Sequence, residues 1–80
     1  MLTNDQLTMD KIPVETKAKI VRINMDRLLK KKLTDMGLIA GTEFRVDGQA
    51  PLGDPIKISI RGYQLAIRRS DAKKIDVEKI

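Results

Sequence analysis

Eighty residues with a formal net charge of +5 and neither cysteine nor histidine exclude a good deal of chemistry. No disulfide framework, zinc finger or iron–sulfur cluster is open to the chain, soft and borderline metals lose their two best side-chain ligands, and no Ser–His or Cys–His pair can form. The length allows one domain, and ten isoleucines and four valines against one Phe and one Tyr make an aliphatic, β-branched core that favours strands.

Residues 1–16 are weakly patterned, with Leu7, Met9 and Ile12 spaced to pin a short turn or helix. Pro13 ends any helix there. "KAKIVRI" follows as a strand. Ala18 and Ile20 share one face, Val21 and Ile23 the other, so this strand is expected to be apolar on both faces near its end. Asn24 to Asp26 break the chain, and Asp26 is suited to cap a helix over about 26–36. Met25, Leu29, Leu33 and Met36 recur at helical spacing, flanked by Leu28, with Arg27, Lys30, Lys31 and Thr34 opposite. Gly37 supplies a left-handed C-terminal cap, onto which Leu38 can fold back.

The remainder alternates as strands. Phe44 and Val46 in "TEFRVDG" point inward, as do Ile56, Ile58 and Ile60 in "IKISI". Arg61-Gly62 leads into "YQLAI" at tight-hairpin spacing. "RRSDAKK" gives a turn with Ser70 placed to cap it, and "IDV" closes the chain as a last strand. Five short strands and one inserted helix cannot make a sandwich at this length. The expected fold is therefore mainly β, a small, partly open five-stranded barrel, since curling removes exposed edges.

No apolar run approaches the ~20 residues that span a bilayer, and "MLTNDQLTMDK" lacks the basic-then-apolar form of a signal peptide. The expectation is a cytoplasmic protein, not membrane-inserted. Its positive charge suits nucleic acid, an anionic membrane or an acidic protein, and equally a merely soluble domain. The run Lys30-Lys31-Lys32 invites a nucleic-acid reading, but the helical wheel splits it. Lys30 and Lys31 face solvent, while Lys32 falls beside Leu29 and Met36, its stem along the apolar face. Arg68 and Arg69 are expected at a strand end, pointing to opposite faces. Single-strand binders stack bases on aromatic platforms, and a polyproline groove also needs several aromatic rings. Phe44 and Tyr63 are too few for either, so no nucleic-acid partner is expected. The aspartates show no calcium-loop spacing, and a barrel filled by aliphatic side chains leaves little room for paired catalytic carboxylates. No catalytic, cofactor or metal residue is assigned, and no enzyme activity is expected.

"APLGDPI", Ala50 to Ile56, is the sharpest motif in the chain. With Lys32-Leu33, Met36-Gly37-Leu38, Gly41-Thr42, Gly62, Leu65 to Arg68, Ala72, Ile75 and Val77, it resembles the FeoA family of ferrous iron transport accessory proteins over residues 18 to 78. Two positions depart from the family pattern: Pro13-Val14-Glu15 stands where Pro-Gly often leads into the first strand, and Ala40 stands where proline usually precedes Gly41. The resemblance implies one domain over 1–80, with residues 17–78 forming an SH3-like barrel. It implies a monomeric accessory that binds and modulates the cytoplasmic portion of a FeoB-type GTPase-permease, and transition metal ion binding at the level of the family. The barrel is also similar to the C-terminal domain of iron-dependent repressors, which keeps open the alternative of a basic nucleic-acid-binding or regulatory module. Loops on rigid scaffolds are the usual place for recognition. Pro51, Leu52, Gly53 and Asp54 are therefore the expected partner-binding residues, supported by Lys32 and Tyr63.

Overall fold

Alternating Ile56, Ile58 and Ile60 demand one buried face, and the chain builds its sheet around them. A computed structural model describes residues 7–80; Met1–Gln6, the first part of the weakly patterned segment, lie outside the described residues. The elements are β1 (Lys17–Ile23), α1 (Arg27–Asp35), β2 (Glu43–Gln49), β3 (Ile56–Ile60), β4 (Tyr63–Ile67), the single turn α2 (Arg69–Ala72) and β5 (Ile75–Lys79). One antiparallel sheet runs in the order β4-β3-β2-β1-β5. It is the five-stranded SH3-like barrel with an inserted helix that the patterning and the resemblance imply. Ile58 is fully buried at its centre, opposite Val46 on β2 and Leu65 on β4. Met9, in a 3-10 turn over Met9–Lys11, and Ile12 are buried against the same core.

β1 corrects one expectation. Its register against β5 slips between Ile20 and Arg22, so Val21 is an extra residue. A bulge shifts the parity of everything beyond it. Ile20 and Ile23 both face the core, and Val21 turns out, 45% exposed. The strand is apolar on one face only.

Local chemistry sets the ends of α1. Asp26 is extended, and its carboxylate accepts the Leu29 N–H at 2.9 Å. At the other end Gly37 has φ +97°. Its N–H donates to Thr34 C=O at 2.9 Å, and Leu38 N–H donates to Leu33 C=O at 3.0 Å, the paired bonds of a Schellman cap. Leu33 and Leu38 are both buried beneath it. The rest of the helix's apolar stripe is less covered. Leu29 is 38% exposed and Leu28 81%.

Arg61 and Gly62, with φ of 52° and 91°, turn β3 into β4 in two residues and place Ile60 opposite Tyr63. Left-handed values at both positions match the twist of the strands they join. Two further expectations are corrected after β4. The strand ends at Ile67, so Arg68 and Arg69 are not strand neighbours: Arg68 precedes α2 and Arg69 begins it. Ser70 lies inside that turn and caps nothing, because Arg68 holds the cap position and no side chain bonds there.

Candidate functional site

The loop between β2 and β3 is closed by its own backbone and fastened by one distant side chain. Ala50 N–H donates to Pro55 C=O at 3.1 Å, and Gly53 N–H donates to Ala50 C=O at 2.7 Å. Gly53 has φ +84°, where any Cβ would be strained and would sit 3.3 Å from Gln49 Oε1. Arg69 then reaches across. Its Nε donates to Gly53 C=O at 2.9 Å, one terminal nitrogen to Gln49 Oε1 at 2.9 Å and the other to Asp10 C=O at 3.1 Å. Its backbone N–H donates to Asp54 Oδ1 at 2.9 Å. A planar guanidinium fixes several acceptors at once, so this loop has the support of an element despite lacking regular structure. Pro51 and Leu52 take no part in that support. Leu52 is 96% exposed at the tip.

Next to the loop, Asp54, Pro55, Ala66 and Arg68 line a shallow depression of about 310 Å³. Ala66 and Arg68 also line a second depression of about 240 Å³, whose opposite wall is α1: Met25, Leu29, Lys32, Leu33 and Met36. The two share a border, so one strip of surface runs from the loop, over the end of β4, to the uncovered apolar stripe of the helix. Lys32 stands on its rim, as does Arg68. Neither belongs to the ion pairs among the described residues, Lys19–Glu78, Arg22–Asp76 and Lys31–Asp35.

The expected site residues are thus divided. Pro51, Leu52, Gly53 and Asp54 form the loop, and Lys32 joins them through the strip. Tyr63 does not reach the loop. It begins β4 at the far end of the hairpin, and its hydroxyl donates to Met36 C=O, an otherwise unsatisfied helix-end carbonyl. Sequence reasoning missed Arg69, whose acceptors lie as far away as residue 10, and Ala66, whose small side chain leaves the floor of the strip open. Nothing local to either position signals these roles. Among the described residues there is no group of three or more Asp or Glu side chains placed to hold a metal. The titratable side chains along the strip are Lys32, Asp54, Arg68 and Asp71. Such a surface is equipped to bind a partner by apolar contact with charged edges.

The FeoA domain family model matches residues 7–79. Over 63 residues the chain is 40% identical to a Porphyromonas gingivalis protein described as a fusion of Fe(2+) transport protein A with the Fe(2+) transporter FeoB. That stretch is 79% of this chain and 8% of the relative, so the chain spans a small fraction of the curated relative it matches. A FeoA-like protein from Clostridium acetobutylicum superposes with a TM-score of 0.85 at 36% identity, covering 98% of this chain and 91% of that one. FeoA of Stenotrophomonas maltophilia, complexed with zinc and described as a prokaryotic SH3 domain protein, superposes with a TM-score of 0.76 at 24% identity, covering 90% and 89%. At that identity the likeness shows the fold alone.

Proposed function

Because the chain belongs to the FeoA domain family, we propose that it is a cytoplasmic, non-enzymatic accessory of ferrous iron transport that docks on the cytoplasmic portion of a FeoB-type transporter through the loop Ala50–Pro55. The observation that carries this reading is Leu52, 96% exposed on a loop that Arg69 holds in place. An apolar side chain left in water on a braced support keeps most of the entropy cost of binding out of the association step. The Porphyromonas gingivalis protein, in which the two parts are one chain, supports the choice of partner. Among the described residues no helix is long and apolar enough to cross a membrane, consistent with an accessory that reaches the transporter from one side.

Titration against the transporter's soluble cytoplasmic portion tests the reading. Leu52→Glu should weaken association by about 2 kcal/mol or more, since a charge replaces an apolar anchor. Unchanged affinity returns the loop to the role of a turn. Binding instead to duplex or single-stranded nucleic acid, falling steeply with salt, would favour the regulatory-module alternative. The chain itself should hold no tight Fe²⁺ or Zn²⁺ as a monomer, because carboxylates alone are poor ligands for these ions. A stoichiometric sub-micromolar site in calorimetry at neutral pH would overturn that expectation.

A further inference from the structure

The two edges of the sheet are treated differently. β5 carries Asp76, Glu78 and Lys79, and the segment before the first turn lies along it: Val77 N–H donates to Leu7 C=O at 2.8 Å, and Thr8 pairs with Asp76. Charge and cover are the ordinary protections of an edge strand. β4 has neither. Tyr63, Gln64, Leu65, Ala66 and Ile67 include no charge and no proline.

The two-residue turn fixes which groups are exposed there. Ile60 and Tyr63 flank it as a hydrogen-bonded pair, so bonded and non-bonded pairs alternate along the ladder from that point. Gln64 opposite Ser59 and Ala66 opposite Lys57 are the non-bonded pairs. Their N–H and C=O groups point away from β3, and no described residue bonds to them. Ala66 also borders the apolar depression against Met25, Leu29 and Met36, whose charged lining residues are Lys32, Arg68 and Asp71. Unpaired edge amides, an adjoining apolar wall and two cations outside the ion pairs among the described residues thus occur together, with Asp71 beside them.

We infer that this edge receives an extended segment of the transporter's cytoplasmic portion as a sixth strand, one with apolar residues at alternate positions and an acidic residue toward Lys32 and Arg68. The inference rests on the docking reading above and specifies its binding mode. Main-chain bonds to Gln64 and Ala66 supply affinity, and the α1 wall selects the alternate side chains, as in other strand-addition complexes. An acidic residue follows from the net positive charge of this rim, two cations against Asp71.

Amide exchange on the unsubstituted chain, with and without the transporter's soluble cytoplasmic portion, reads this directly. Gln64 and Ala66 should gain protection on binding. Ala66→Pro removes an N–H that β3 does not use, a substitution edge strands tolerate, and should lower affinity by about tenfold or more. Lys32→Glu and Arg68→Glu should each weaken binding more than Lys31→Glu. If the partner binds while both amides exchange as in the free chain, strand addition is wrong, whether or not Ala66→Pro folds; loss of binding by Leu52→Glu would then show that docking itself stands. No binding by the unsubstituted chain overturns both. Protection already present in the isolated chain, together with a dimer's mass in sedimentation, assigns the edge to a second copy and also overturns the inference.

Discussion

β3 is bounded by two very different turns. At one end Arg61 and Gly62 reverse the chain in two residues, and their neighbour Tyr63 bonds to the end of α1. The Arg61 stem lies over Gly37, where an added Cβ would sit 3.4 Å from Arg61 Cδ. At the other end Ala50 to Pro55 take six residues, need Arg69 to hold them, and leave Leu52 in solvent. The first turn is fixed by backbone preference and serves the fold. The second is fixed by a remote side chain and leaves its apolar tip unused by the fold. Mutations at the two ends should therefore separate stability from association.

Midway between the ends, Ile58 should break the comparison by removing what both share. It is fully buried, with Val46 and Leu65 as cross-strand neighbours. Ile58→Ala should cost about 2–5 kcal/mol, enough to unfold much of a domain this small. A denaturation midpoint close to that of the unsubstituted chain would place the face in solvent.

Gly37→Val strikes the packed end. A β-branched residue at φ +97° is strained by about 1–2 kcal/mol, and its Cβ would lie 2.8 Å from the Tyr63 hydroxyl. Loss of the Tyr63 bond adds about 1 kcal/mol. Denaturation should show about 2–3 kcal/mol in all, with affinity per folded molecule preserved. Reduced affinity at full folding would mean that the packed end also serves recognition.

Arg69→Ala strikes the support of the other end, and mixed effects are expected. Three side-chain hydrogen bonds from a partly buried guanidinium are lost. The cost in stability should be about 1–2 kcal/mol, since water replaces part of what is removed. Association should weaken too, as the loop must then be ordered on binding. A stability loss with intact affinity would show that Arg69 serves the fold alone.

The same division explains what could be read in advance. The Asp26 cap, the Gly37 cap and the Arg61-Gly62 turn each depend on residues within a few positions, so their chemistry is visible in a short window. The alternating isoleucines of β3 are legible for the same reason. Val21 is not, because the bulge belongs to a register set by β5, where Arg22 pairs with Asp76 fifty-four positions away. Arg69 is harder still, since its acceptors come from residues 10, 49 and 53, brought together only by the folded sheet and its loops. The loop's composition marked it as a site of interest, but its support and its neighbouring strip are properties of the assembled fold.

The smallest effect on stability is expected at the residue with the largest proposed effect on binding. Leu52 is 96% exposed, forms no part of the core cluster and lies in none of the loop's hydrogen bonds. Replacing it with glutamate buries nothing and uncovers nothing, so unfolding free energy should move by less than about 0.5 kcal/mol. Amide spectra should keep native dispersion, with shifts confined to residues 50–55 and their contacts. That result beside a large loss of affinity would show that this side chain is held out for a partner. A destabilisation as large as that of Gly37→Val would instead tie Leu52 to the fold, and the two ends of β3 would no longer differ in kind.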